Sequence, residues 1–228
     1  PIVLLTYDNK QFYGVDEDTK QALWSKEEID GMAAYAKAVA LHYKEKGYTL
    51  KYFEFWNEPN AKFWLPLPLG HATYTEAMKV VTNSIKSVLP EAVVIGGALS
   101  HNDPRWMKWL NANVYEFADG FSYHPYVSGS TSKVYIDNAG DGEAASFVER
   151  CEAMNDVGLK YGGWKQNWIT EFGVSSNKSE YGFTEEEQAS ELVKESILAD
   201  SANVDANTVY SYMNWYNPSA SNVDNDYE

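Results

Sequence analysis

The chain has 228 residues, the size of one domain and slightly short of the about 250 residues of a complete (β/α)₈ barrel. Its 44% hydrophobic and 22% charged residues exclude a disordered chain and predict a folded domain with a sizeable core. The net charge of -15 disfavours a nucleic-acid partner, because phosphate backbones are bound by clustered Lys and Arg.

The composition also bears on membranes and on ligands. No apolar run approaches 18 residues, so no transmembrane helix and no membrane partner are expected. No charged and then apolar stretch at the N-terminus predicts a signal peptide. The single cysteine, Cys151, excludes a disulfide within the chain. The 17 Tyr, 8 Trp and 9 Phe favour a ligand with apolar faces and hydroxyl groups, and sugars are such ligands.

Short apolar runs alternate with longer amphipathic segments along the chain, which is the pattern of parallel βαβ units. Six strands are predicted, at Ile2 to Tyr7, Tyr52 to Trp56, Val93 to Ile95, Gly120 to His124, Asn167 to Thr170 and Thr208 to Met213. The intervening helices are predicted to begin at the capping boxes Ser25–Glu28, Thr73–Glu76 and Thr184–Glu187, at Asp103–Pro104, and near Glu143.

Six strands do not close an eight-stranded barrel. The predicted fold is therefore an incomplete TIM (β/α)₈ barrel forming a single catalytic domain over residues 1–228, with strands 3 to 8 present. The first two βα units and the last helix are expected to lie outside this chain. Alternatively, a second chain completes the sheet, or the six strands form an open doubly wound sheet.

Two glutamates follow predicted strands at the end where parallel α/β folds build active sites. Glu58 lies in the segment FEFWNEPN and Glu171 in WITEFG. Trp56 and Trp64 flank Glu58, and apolar neighbours favour the protonated form of a carboxylic acid, as a catalytic acid requires. An Asn-Glu-Pro turn after a strand also suits a helix-capping loop, so the pair carries more weight than either glutamate alone.

WNEPN followed by WITEFG resembles glycoside hydrolase clan A, whose members carry Asn-Glu at the end of barrel strand 4 and a nucleophilic Glu at the end of strand 7. Counting Ile2 to Tyr7 as strand 3 places Glu171 on strand 7. Within the clan, FEFWNEPNAKFW and VVIGGALS are most similar to family 39, which includes β-xylosidases, iduronidases and exopolysaccharide-cleaving endoglycosidases. Family 5 is the nearest rival.

The resemblance implies roles for further residues. His124 and Tyr126 match a His-x-Tyr motif at the end of strand 6, so Tyr126 would hydrogen-bond Glu171 and His124 would contact the acid/base or the sugar. Asn57 would bind the sugar 2-hydroxyl. The remaining substrate-binding residues are predicted to be aromatic: Trp56, Trp64 and, as a platform after strand 8, Trp215.

On this resemblance the chain is expected to hydrolyse a β-linked glycan with retention, with Glu58 as acid/base and Glu171 as nucleophile. No cofactor or metal is implied, and the setting would be secreted, cell-surface or periplasmic. Two other functions compete. One is a non-catalytic carbohydrate-binding barrel fragment. The other is a metal-dependent hydrolase, which is disfavoured because no cluster of metal ligands follows a predicted strand.

Overall fold

A computed structural model describes residues 1–6, 13–61, 69–126, 135–136, 144–163, 165–174, 176 and 183–211. Its strands are Ile2–Leu5 (β1), Tyr13–Asp16 (β2), Gln21–Trp24 (β3), Tyr52–Phe55 (β4), Val93–Ser100 (β5), Gly120–His124 (β6), Tyr135–Ile136 (β7), Ala144–Ala145 (β8), Gln166–Phe172 (β9) and Ala206–Val209 (β10). Its helices are Lys26–Glu45 (α1), His71–Lys86 (α2), Pro104–Asn113 (α3), Phe147–Tyr161 (α4) and Glu185–Ser201 (α5).

The main sheet contains the six predicted strands in the order β1-β4-β5-β6-β9-β10, and every neighbouring pair is parallel. The spatial order follows the chain order throughout. A doubly wound sheet reverses its strand order at a switch point, and this sheet has none in the described residues. The observed order is therefore that of a barrel wall, and the open doubly wound alternative is wrong.

An antiparallel hairpin, β2 with β3, lies between β1 and α1 and was not predicted. Its turn is closed locally, because the Asp16 carboxylate accepts the backbone N–H groups of Asp18 and Thr19. The hairpin also reaches the start of α2, where the Gly70 N–H donates to the Ala22 carbonyl at 2.8 Å. The hairpin therefore contacts the end of the segment that joins β4 to α2.

Three helices begin at the predicted caps. The side chains of Ser25, Asp103 and Thr184 each accept a backbone N–H from the first turn of α1, α3 and α5, respectively. Thr184 and Glu187 form the full reciprocal capping box.

Two predicted helix starts are wrong. Thr73 lies inside α2, which begins two residues earlier, and its buried hydroxyl accepts the Trp24 N–H at 3.2 Å instead of capping the helix. A tertiary contact with the hairpin has replaced the local cap. Helix α4 begins at Phe147 and not near Glu143, because Ser146 and Glu149 form the capping box there.

Strand β5 is longer than predicted because Gly96 and Gly97 continue it through a β-bulge. Gly97 has φ +108°, and a Cβ at this position would lie 2.6 Å from the Ser122 carbonyl oxygen. Only glycine fits both the conformation and the close approach. At the other end of the sheet, β10 spans Ala206–Val209 rather than Thr208 to Met213. Tyr210 and Ser211 follow the strand, and residues 212–213 lie outside the described residues.

The core lies between the sheet and the helices. Its largest fully buried side chains are aromatic or long aliphatic ones and include Trp56, Tyr74, Tyr123, Phe53, Phe55 and Phe147. No described helix is both long and apolar enough to cross a membrane. The helices lie on the outer side of the parallel sheet, where α3 contacts β5 and α5 contacts β10.

Candidate active site

The backbone around Glu58 is held by the two strands beside β4. The Trp56 N–H donates to the Leu5 carbonyl at 2.9 Å, and the Glu58 N–H donates to the Ala98 carbonyl at 2.8 Å. Trp56 and Glu58 both adopt positive φ angles, 70° and 49°, which non-glycine residues seldom occupy. Residues with strained backbone angles of this kind are found preferentially at functional sites, where contacts with the surrounding structure hold them in place.

Asn60 fixes the other side of the same loop. Its side-chain amide nitrogen donates to the Ser100 carbonyl at 3.0 Å, and its amide oxygen accepts the Ser100 N–H at 2.8 Å. Ser100 ends β5. The second Asn of the WNEPN segment therefore joins the loop to the end of the next strand.

Glu171 lies within β9, one residue before its end, and its side chain is partly exposed. The Tyr126 hydroxyl donates a hydrogen bond to Oε2 of Glu171 at 3.0 Å, which is the contact expected from the resemblance. Burial and then the negative charge of Glu171 raise the pKa of Tyr126 far above its ordinary value. The phenol is therefore a neutral hydrogen-bond donor to the Glu171 carboxyl group.

His124 connects the two glutamates. Its side chain is 0% exposed, and its Nδ1 lies 3.1 Å from Oε1 of Glu58 and 3.7 Å from Oε2 of Glu171. Burial alone lowers the pKa of His124, but the hydrogen bond with Glu58 and the surrounding carboxylates raise it above its ordinary value. One imidazole nitrogen therefore faces both predicted catalytic carboxylates.

The other predicted site residues are placed differently. Asn57 is buried beside Glu58, and its Oδ1 has no hydrogen-bond partner in the described part of the chain. Trp56 is 2% exposed and packs edge-on against Trp24 at 4.6 Å between ring centroids. Its predicted substrate contact is therefore not supported, since the ring belongs to the core. Trp64 and Trp215 lie outside the described residues.

Three polar residues beneath the site were not predicted: Glu54, Ser122 and Thr170. The Ser122 hydroxyl donates to Oε1 of Glu54 at 2.5 Å, and Thr170 Oγ1 lies 3.2 Å from Nε2 of His124. The sequence does contain an indication of these residues, because each is a polar residue in a largely apolar predicted strand: YFEFW, GFSYH and WIT. A charged residue buried in a strand needs partners of this kind.

The site has the groups for acid–base and nucleophilic chemistry. One carboxylate shares a hydrogen bond with a buried imidazole, and a second, partly exposed carboxylate is supported by a phenol. Among the described residues no group of three or more His, Cys, Asp and Glu side chains could hold a metal ion. The two carboxylates could donate a proton to a bound substrate and attack it as a nucleophile.

Solved structures with a similar fold include three carbohydrate-active enzymes. A family 39 glycoside hydrolase from Bacteroides cellulosilyticus WH2 matches with a TM-score of 0.68 and 24% identity, over 89% of this chain and 40% of that one. A monomeric β-xylosidase from Caulobacter crescentus CB15 matches with a TM-score of 0.60 and 17% identity, over 81% and 39%. A family 44 xyloglucanase from Paenibacillus polymyxa matches with a TM-score of 0.56 and 13% identity, over 80% and 46%.

The chain has part of the barrel fold of family 39 glycoside hydrolases. Neither the family models nor the curated proteins give a match to its sequence. The chain spans about 40% of the length of the family 39 structures that it matches. The predicted incomplete TIM barrel is thus confirmed, and the fold is that of clan A glycosidases.

Proposed function

We propose that this chain carries the catalytic half of a retaining glycoside hydrolase that cleaves a β-linked poly- or oligosaccharide. The observation that carries the proposal is the pair of carboxylates joined by His124, on a half-barrel of glycosidase fold. The partly exposed Glu171 is the nucleophile, and the more buried Glu58 is the acid/base.

The reaction has two steps. In the first, a carboxylate oxygen of Glu171 bonds to the anomeric carbon as the glycosidic C–O bond breaks, and the proton of Glu58 passes to the leaving oxygen. In the second, Glu58 takes a proton from water, which attacks the anomeric carbon and releases Glu171. Tyr126 stabilises the ionised nucleophile before each cycle.

Replacing the nucleophile tests this proposal. Glu171→Gln is expected to lower hydrolysis of an aryl β-glycoside by at least about 10³-fold while ligand binding persists, because the amide cannot form the glycosyl intermediate. Glu171→Gly should regain turnover in azide and release a glycosyl azide of inverted configuration. Turnover by Glu171→Gln near the wild-type rate would contradict the assignment.

A non-catalytic carbohydrate-binding function is the second candidate, because the buried Asn57 Oδ1, which has no partner among the described residues, could accept a sugar hydroxyl without any reaction. Trapping of a covalent glycosyl intermediate distinguishes the enzyme from the binding module. An activated 2-fluoro glycoside should label Glu171 of a working enzyme, as detected by peptide mass. Saturable binding of a polysaccharide with no labelling and no release of reducing sugar would support the binding module.

A further inference from the structure

An exposed histidine, His101, follows the carboxyl end of β5 and has no part in the proposed reaction. Ser100 before it and Asn102 after it are both buried. Strand β5 lies between β4, which leads to Glu58, and β6, which ends at His124. Parallel α/β folds build their sites at this end of the sheet, so the imidazole lies at the edge of the candidate site.

The backbone of His101 is strained and held in place from both sides. Its φ angle is 59°, which histidine seldom adopts and glycine adopts without penalty. The backbone of Ser100 is hydrogen-bonded to the Asn60 side chain, and the Asn102 side-chain amide donates to the Arg150 carbonyl at 2.9 Å. Strain of this kind is found preferentially at functional sites. Because glycine would fit this turn better, the imidazole at this position points to a role for the side chain.

The backbone contacts of His101 place it close to the proposed acid/base. A β-bridge joins His101 to His124, and residues paired in this way have Cα atoms about 5 Å apart. Nδ1 of His124 lies 3.1 Å from the Glu58 carboxylate. The Glu58 N–H donates to the carbonyl of Ala98, three residues before His101. Glu58 and His101 are therefore both fixed to the same end of β5.

One nitrogen of the His101 ring is oriented by the protein, and the other is open to a ligand. Nδ1 lies 3.0 Å from Oγ of Ser100, whereas Nε2 has no hydrogen-bond partner among the described residues. An imidazole nitrogen donates or accepts according to its tautomer, and a hydroxyl group can do both. A sugar hydroxyl is therefore a suitable partner for Nε2.

We propose that His101 is a substrate-binding residue for the leaving-group sugar, the part of the glycan that departs when Glu58 gives up its proton. The inference rests on the proposed function, in which Glu58 is the acid/base. The leaving oxygen must lie within hydrogen-bond distance of the Glu58 carboxyl group. The sugar that carries this oxygen then lies beside the end of β5, where His101 is exposed. In the second step, the same place binds a sugar that replaces water as the acceptor.

Reactivation of the trapped enzyme tests the proposal. An activated 2-fluoro glycoside should leave Glu171 as a glycosyl ester, which water or an added sugar then releases. The acceptor hydroxyl loses its proton to Glu58 while its oxygen bonds to the anomeric carbon and the bond to Glu171 breaks.

In His101→Gly, reactivation by methyl β-xyloside or methyl β-glucoside should slow about five- to tenfold, the effect of one lost hydrogen bond, whereas reactivation by water should change less than about twofold. Equal effects on both rates, or no effect on either, would overturn the proposal.

Two further variants separate sugar binding from a structural role. His101→Asn suits the positive φ and has an amide for the hydroxyl, so it should recover part of the sugar-dependent rate. His42→Asn, the same change on the exposed side of α1, should alter neither rate. The urea midpoint of His101→Gly should equal or exceed that of wild type, because glycine relieves the strained backbone. A lower midpoint with equal loss of both rates would show a structural role and overturn the proposal.

Failure of the proposed function would give a different result. If no 2-fluoro glycoside labels Glu171 in the wild-type chain, the proposed function is contradicted, and binding alone then decides whether His101 contacts a sugar. In ¹⁵N-labelled protein, which has four histidines, the His101 ring signal is assigned by its absence in His101→Asn. It should shift saturably when methyl β-glycosides or xylotriose are added. A His101 signal that none of these sugars moves would overturn the proposal.

Discussion

At the scale of single residues, Asn57 is the clearest candidate for a sugar contact. Its Oδ1 is buried with no partner in the described residues, although buried polar atoms are normally hydrogen-bonded. Asn57 directly precedes Glu58 in the loop that follows β4. A substrate hydroxyl that donates to this oxygen would satisfy it, and the resemblance assigns the sugar 2-hydroxyl to that place.

Asn57→Ala should therefore lower kcat/KM about 10²-fold for a substrate with a 2-hydroxyl, because the contact strengthens in the oxocarbenium-like transition state. With the matched 2-deoxy substrate, wild type and variant should differ little. Steady-state kinetics on the four combinations form a double-mutant cycle. Additive effects would show that Asn57 does not contact that hydroxyl.

At the scale of elements, helix α5 buries two acidic residues on its inner face, Glu191 and Glu195. Glu195 is 1% exposed, and both of its carboxylate oxygens lack a hydrogen-bond partner in the described residues. Burial and then the charge of Glu191 raise the pKa of Glu195 to about 8. The folded state therefore binds this proton more tightly than the unfolded state does.

The free energy of unfolding should fall as the pH rises from the ordinary glutamate value toward 8, since folded Glu195 retains a proton that the unfolded chain has lost. The loss should be on the order of a few kcal/mol. Glu195→Gln should remove it, and urea unfolding at pH 5, 7 and 9 measures the slope. Glu186→Gln, the same charge change on the exposed first turn, should leave the slope unchanged.

The strands and helices also show how much of the structure could be predicted from the sequence. The six strands, their order and three helix caps followed from periodicity and local chemistry, and the contact of Tyr126 with Glu171 followed from the family resemblance. Thr73 was misplaced because its hydroxyl binds the hairpin, a contact distant in sequence. Glu54, Thr170 and Ser122 meet only when three strands align, so no local pattern joins them.

At the scale of the whole molecule, the two outer strands of the sheet carry exposed apolar side chains. Leu4 on β1 is 41% exposed, and Val209 on β10 is 41% exposed. Each of these strands pairs with one neighbour in the described residues. A cavity of about 300 Å³ between β1 and α1 is lined by Leu5, Tyr35 and Trp56, among others. We propose that further chain segments of the same protein close the barrel against these surfaces.

One substitution in two contexts tests this closure. In the 228-residue chain, Leu4→Lys should change the free energy of unfolding by less than about 0.5 kcal/mol, as exposed substitutions usually do. In a longer protein that includes the flanking segments, it should cost about 2 kcal/mol or more, because the charge would be buried. Equal tolerance in both proteins, measured by urea unfolding, would contradict closure at this edge.

The anchoring of the loop after β4 bears on how such a barrel can diversify. The backbone N–H groups of Trp56 and Glu58 donate to Leu5 and Ala98, on the strands at either side of β4, and the Asn60 side chain is hydrogen-bonded to the backbone of Ser100. Glu171 and His124 lie on strands of the same sheet, and Tyr126 follows the end of β6 by two residues. The proposed catalytic groups therefore lie on one contiguous stretch of chain, so the segments proposed to close the barrel could differ between related proteins, and change the ligand that fits, without moving those groups.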